Sequence, residues 1–343
     1  MNNYSIRNNL SEIWSQISKK RKSQLILLII LMFFSSISEM FTLATSVPFL
    51  KVITNAQKFM EQDNFLLIFG KLGINSEQKA IIFITVSFAI FAIITSFIRL
   101  SNLWLNTKIA AAIGSDLSCK LFNTTLKQDY EFHLNNNSSS TISLNTRFVS
   151  DIVGVINQFL QFILSSLLVI GIISTLLIID WQIALTSIFI FAFSYGTIVY
   201  LCKKRLLINS KVIAKNNEIQ IKTIQEGLSS IKDLILSSSQ NSYIKLYQNA
   251  DFPLRQKEAE SNFISTFPRY SIEAVGMVLI AFLALILTFQ KGLSEEEIIP
   301  ILGSLALGAQ RLLPALQQMY SGWAIMRGNA TGVRLTLDRL KKN

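Results

Sequence analysis

Arg311 stands inside the apolar stretch ALGAQRLLPAL, residues 306–316, with Pro314 three positions further on. Two more arginines, Arg99 and Arg269, and two carboxylates, Glu39 and Glu273, fall in or beside equally apolar runs. A guanidinium stays protonated at any working pH and presents a planar fork of donors that matches phosphate oxygens. A charge inside a hydrocarbon-like segment is costly, and its default reading is a functional site. The chemistry these residues suit is therefore anion binding. Blander readings compete with it. Arg99 and Arg269 have stems long enough to snorkel to an interface. Arg269 and Glu273 are one turn apart and suited to pair, and Glu39 is suited to neutralise Arg311 across a helix contact.

The elements that must position these charges are long apolar helices. Half of the 343 residues are hydrophobic and only 15% are charged, too few to cover the surface of a soluble protein of this size. The apolar residues are bunched into runs near the roughly 20 residues that a helix needs to cross a bilayer. Six such runs predict an all-α membrane protein with spans at Leu25–Leu50, Ala80–Asn106, Val155–Ile179, Gln182–Cys202, Tyr270–Gln290 and Ile298–Met326. The first is too long for a cleaved signal peptide and lacks a small-residue cleavage site. Lys19, Lys20, Arg21 and Lys22 precede it, and Arg327, Arg334, Arg339, Lys341 and Lys342 follow the last. By the positive-inside rule both termini are cytoplasmic. The net charge of +11 is then an orientation signal. No basic cluster is interleaved with base-stacking aromatics, which speaks against a nucleic-acid partner.

The connections carry the next signal. Spans three and four are separated only by Asp180 and Trp181, whereas the cytoplasmic connections, about 107–152 and 203–263, are long. Before Pro253 they hold no proline and little glycine, and stretches such as IAAAIGSDLSCKLFNTTLKQ mix apolar and polar residues at helical spacing. Structureless loops of this length are uncommon, so the membrane helices are expected to continue into the cytoplasm as two hairpins. Their tips are placed near DYEFHLNNNSSS, with Asp129 and Tyr130, and near IQEGLSSIKDL, with Glu226 and Gly227. Such tips suit contact with another protein; the alternative is a solvated stalk. The outer segment NFLLIFGKLGI fits either an interfacial helix or a cap on neighbouring helix ends. Cys119 and Cys202 have no partner at metal or redox spacing, and His133 is the only histidine. No metal site is expected.

Three stretches carry a family resemblance. SEMFTLATSVPFLKVI in span one resembles the glutamate-to-Pro-Phe-Leu stretch of lipid-linked oligosaccharide flippases. EGLSSIKDL resembles the second coupling helix of that group, and ALGAQRLLPALQQMYSGW its sixth span. With six spans and long intracellular hairpins, residues 1–343 as a whole resemble the transmembrane domain of ABC exporters. The resemblance implies a homodimer in the bacterial inner membrane that moves a polyprenyl-pyrophosphate-linked glycan. It also implies that tip residues Asp129, Tyr130, Glu226 and Gly227 couple to an ATPase, and that Arg99, Arg269 and Arg311 contact the substrate. In one respect the sequence departs from the family. TGVRLTLDRLKKN resembles the linker helix that precedes a nucleotide-binding domain, yet no G-x-x-x-x-G-K-[ST] phosphate loop is present. No cofactor is therefore expected in these residues. ATP and Mg²⁺ would come through a partner nucleotide-binding subunit, unless the chain is a fragment. Two rivals stay open: an exporter of another lipid, a peptide or a drug, and an ATP-independent transporter, scaffold or truncated relic.

Depth along the spans groups the arginines. At 1.5 Å per residue Arg311 lies roughly 20 Å from the outer end of span six, and Arg99 and Arg269 about 30 Å from the outer ends of theirs. All three fall in the inner half of the bilayer, an order that a headgroup arriving from the cytoplasmic leaflet would meet. Pro314 frees the carbonyl of Gln310 and favours a bend. That bend either widens a cavity beside Arg311 or serves packing alone.

Overall fold

A computed structural model of the chain describes residues 6–54, 76–135, 138–179, 181–290 and 295–341, and every regular element within them is a helix. In chain order these are α1 (Ile6–Gln16), α2 (Lys19–Thr54), α3 (Glu77–Leu126), α4 (Tyr130–Asn135) and α5 (Ser138–Ser143). A π-helical turn (Leu144–Phe148) follows, then α6 (Val149–Ile179), α7 (Trp181–Ser229) and α8 (Ile231–Leu236). The chain continues through α9 (Gln240–Thr266), α10 (Pro268–Gln290), α11 (Glu295–Gly328) and α12 (Ala330–Lys341). Each predicted span lies within one long helix: α2, α3, α6, α7, α10 and α11. By length and composition, three described stretches are able to cross a membrane: Lys19–Leu50, Glu77–Leu126 and Ser138–Thr175. The outer segment NFLLIFGKLGI and Asp180 lie outside the described residues.

Sequence explains where the helices begin and how they run on. Ser76 caps α3 by accepting from the amide of Lys79, and Glu77 supplies negative charge to the first turn. From there α3 runs 50 residues without a break, through the end of the predicted span and into the predicted extension. Its flank carries Ile82, Ile93, Phe97 and Leu100, all exposed, as expected of a surface that meets lipid rather than water. The helix α11 continues unbroken through Pro314.

Two cores hold the bundle. One joins α1, α2, α3, α6 and α12 through Ile13, Met32, Ile113, Ile152, Leu160 and Val333. The other joins α6, α7, α9, α10 and α11 through Ile172, Leu206, Ile264, Ile272 and Leu312. Small residues set the closest approaches. A Cβ at Gly114 of α3 would fall 2.1 Å from a methyl of Val153 on α6, and one at Gly322 of α11 would fall 3.0 Å from the backbone oxygen of Gln158. Glycine is what lets these helix pairs meet at such range.

The hairpin tips differ from expectation in detail. The second turn falls within the expected stretch IQEGLSSIKDL, just past Gly227, which lies in the last turn of α7 against the ring of Tyr243, 3.3 Å from where a Cβ would stand. The chain turns at Ser230, forms the short α8, and turns again at Ser237–Ser239, where Ser238 adopts φ 50°. At the first tip α3 ends at Leu126, residues 127–129 turn at the start of the expected stretch DYEFHLNNNSSS, and the serines that close that stretch, 138–140, are helical. Burial of Ser139 and Ser143, and the bond from the Ser143 hydroxyl to the Ser139 carbonyl, 2.9 Å, account for this. Serine satisfies itself on a helix when its hydroxyl reaches back one turn.

Candidate functional site

The site is built on a polar stripe of α2. Ser35, Ser36, Glu39, Thr42 and Ser46 are all buried, and their spacing puts them on one helical face. Ser36 donates to the carbonyl of Leu167 on α6 at 2.8 Å, and the hydroxyls of Ser38 and Thr42 lie 2.6 and 2.8 Å from that of Thr95 on α3. This seam fixes α2 against α3 and α6 at the level of Glu39.

Glu39 collects two of the three predicted arginines. Its Oε1 accepts a hydrogen bond from Nη1 of Arg311 on α11 and lies 3.5 Å from Nη1 of Arg99 on α3. The carboxylate is 3% exposed, while the Arg99 side chain is 53% exposed and that of Arg311 30%. Its second oxygen, Oε2, has no hydrogen-bond partner among the described residues. The cluster thus sets two guanidiniums against one carboxylate and keeps one positive charge in excess, presented mainly by Arg99. The expected pairing of Glu39 with Arg311 is present, and Arg99 shares it.

Below Arg99 opens a cavity of about 420 Å³ between α2, α3, α6 and α11. Arg99, Asn102 and Asn106 reach it from one face of α3, with Gln161 from α6 and Gln318 from α11. These amides escaped the sequence reading. The available signal was the i, i+3, i+7 spacing of polar residues along an otherwise apolar helix, 99–102–106.

Arg269 stands apart. It lines a second cavity, about 230 Å³, with Glu273, Tyr195, Gln310, Pro314 and Gln317. Neither Arg269 nor Glu273 has an ion-pair partner among the described residues, so the expected one-turn pair is not formed. Helix α11 contributes to both cavities: Gln310 and Gln317 line the Arg269 side, Gln318 lines the Arg99 side, and Arg311 holds Glu39.

The hairpin tips present apolar surface. Leu126, Tyr130 and Leu134 are exposed around α4, and Leu228, Ile231, Ile235 and Leu236 around α8. Asp129 is exposed at the start of α4, with its carbonyl accepting from the amide of Phe132, and Glu226 pairs with Lys222 one turn back at 3.7 Å. The second hairpin is zipped internally. Gln220 of α7 donates to Asp251 of α9 at 2.6 Å, Asn209 donates to Ser261 at 3.3 Å, and Arg205 pairs with Glu260. The π-helical turn joins the two hairpins through the Arg147–Glu258 ion pair. The first tip is also tied to the chain's end, because the Arg339 guanidinium of α12 lies 4.3 Å over the ring of Phe132. In turn, Glu12 of α1 holds α12 through Arg334 at 2.9 Å and Lys341 at 2.8 Å. Burial pushes the Glu12 carboxyl up, but the hydrogen bonds and charges of Lys341 and Arg334 bring it below its ordinary value.

No curated protein matches the chain. The family model described as the ABC transporter transmembrane region matches residues 26–307, which takes in α3 through α10 whole and most of α2. With its all-helical build, the apolar flank of α3 and the two long hairpins, the chain belongs to the ABC transporter transmembrane family.

Proposed function

We propose that the chain is one half of an ATP-driven exporter that crosses the membrane six times and moves a polyprenyl-pyrophosphate-linked glycan, or a related anionic lipid, from the cytoplasmic leaflet. The observation that carries the cargo class is the Glu39–Arg99–Arg311 cluster, whose excess charge sits beside an open cavity. A phosphate oxygen competes well with a carboxylate for a guanidinium fork. Arg99 receives the anion first because it is the more exposed and the more weakly held of the two. Arg311 meets it deeper, and Arg269 offers a separate contact on the other side of α11.

The chain works as a homodimer, because one copy supplies half of the twelve-helix pathway usual in the resembled exporters. ATP and Mg²⁺ are taken up by a nucleotide-binding partner. The exposed leucines and isoleucines of α4 and α8 support docking of that partner, since apolar side chains at the far end of a cytoplasmic stalk gain little in water. Closure of the partner then moves the tips at Asp129, Tyr130, Glu226 and Gly227, and the continuous helices carry that motion to the cluster. The packing of α1 on α12 agrees with both termini lying on one side of the membrane.

The test is affinity purification from the native host in mild detergent. A phosphate-loop ATPase should co-purify, and Leu228→Asp should release it. In proteoliposomes the complex should hydrolyse ATP faster with a polyprenyl-pyrophosphate glycan, and Arg99→Gln should remove most of that stimulation. Stimulation by uncharged amphiphiles alone would move the cargo to another class. Recovery of the chain without any ATPase would sink the ABC mechanism in favour of an ATP-independent membrane protein.

A further inference from the structure

The amides of the 420 Å³ cavity have a hydrogen-bond balance of their own. Asn102 is fully buried, and neither its Oδ1 nor its Nδ2 has a partner; Asn106 is 2% exposed with an unpartnered Oδ1; Gln161 has an unpartnered Oε1. The wall therefore offers three acceptors that want a donor and one donor that wants an acceptor. Buried polar groups are rarely left in that state, because each forfeits its hydrogen bonds to water without replacement. Four such atoms around one cavity, on two helices, amount to a recognition surface.

That balance selects a ligand. A phosphate has acceptors only and cannot satisfy the three amide oxygens. A quaternary ammonium has no N–H to give, and no carboxylate lines the cavity to attract it. A polyhydroxylated group both donates and accepts at several closely spaced points, as the wall requires. Arg99 stands one turn above Asn102 at the same cavity, and Met32, Leu100 and Leu164 provide an apolar side. Leu100 is largely exposed on the lipid-facing flank, which leaves room for a hydrocarbon tail. The volume lies within the range of about 300–1,000 Å³ usual for small-ligand sites.

We infer that Asn102, Asn106 and Gln161 form a subsite for the hydroxylated headgroup of a lipid whose phosphate lies at Arg99. The subsite deepens the proposed function and rests on its reading of Arg99 as an anion contact. Gln318 does not share the role to the same degree, since its Oε1 already accepts from Ser165 at 3.2 Å.

The experiment uses the full chain in nanodiscs and two probes of equal charge, geranyl glucosyl phosphate and geranyl methyl phosphate, titrated by calorimetry. The wild type should bind the glucosyl probe about tenfold more tightly, on the usual worth of one or two added hydrogen bonds. Asn102→Leu and Gln161→Leu should each reduce that preference toward one and leave the methyl probe's affinity unchanged. Arg99→Gln should weaken both probes alike. Equal binding of the two probes by the wild type overturns the subsite and leaves the anion site standing. A glucosyl preference that survives Arg99→Gln with no loss in either affinity keeps the subsite and removes the anion reading. If both leucine variants lose both probes while retaining the wild-type melting temperature, the amides shape the whole cavity rather than read hydroxyls, and the inference fails.

Discussion

Glu39 holds its two arginines unequally, and the inequality is measurable. Arg311 makes the direct hydrogen bond, while Arg99 stands 3.5 Å away and is half exposed. Removing one partner of a buried pair leaves an uncompensated charge and costs about 3–5 kcal/mol. Here Arg99 remains to screen Glu39, so Arg311→Gln should fall near the low end of that range. Arg99→Gln should cost less than about 1 kcal/mol, as for exposed pairs. Thermal melts in detergent should therefore rank Arg311→Gln well below Arg99→Gln, and equal losses would show that the two share the carboxylate evenly. The charges themselves were legible in the sequence, because an arginine within an apolar run is conspicuous. Their grouping was not. Depth alone placed Arg269 level with Arg99, but depth says nothing of azimuth, and packing puts Arg269 at another cavity. Asn102 and Asn106 went unread because an amide carries no net charge to draw notice.

At the scale of elements, the tip helix α8 closes with a sharp cap. The amide of Ser238 donates to Ile235 and that of Ser239 to Leu234, at 3.2 and 3.0 Å, which is the double bond of a Schellman turn. That turn requires the left-handed conformation found at Ser238, a position that glycine fills without the steric penalty of a Cβ. Ser238→Gly should stabilise the tip by about 0.5–1 kcal/mol, read as slower hydrogen exchange across α8. Faster exchange would mean that the serine hydroxyl contributes more than its backbone strain takes away. Helical periodicity made the long hairpins legible, since apolar spacing persisted beyond each membrane run. It placed the second turn within IQEGLSSIKDL, where Ser230 makes it, but not at the exact residue, because Gly227 looks like a breaker when its packing against Tyr243 is unknown. Composition offered Ser138, Ser139 and Ser140 as part of the first tip, yet they are helical, because local propensity is overridden when small residues are buried against a neighbouring helix.

Across the whole molecule, the two ends of the chain are clamped to each other. Glu12 bridges Arg334 and Lys341, and Asn9 donates to the carbonyl of Ala330 at 3.2 Å. Because the folded pKa of Glu12 lies below the unfolded one, the clamp is at full strength above the ordinary carboxylate value of 4.5 and is lost as pH falls through the lowered folded value. Amide exchange in α1 should be slow and pH-corrected rates flat from neutral pH down to about 5, then rise on further acidification. Glu12→Gln should remove that acid-dependent rise; if it persists unchanged, another group holds α1.

The close approach of Gly114 to Val153 has a mechanical consequence. It fixes a fulcrum on α3. From there Arg99 lies 15 residues one way and Leu126 12 residues the other, arms of about 22 and 18 Å. A rod rocking on that fulcrum trades displacement almost one for one and in opposite directions, so a tip displaced by a few ångströms would swing Arg99 a similar distance the other way. The gearing neither amplifies stroke nor multiplies force. It inverts the motion, and a bulkier residue at position 114 would jam the rocker while leaving both of its ends chemically intact.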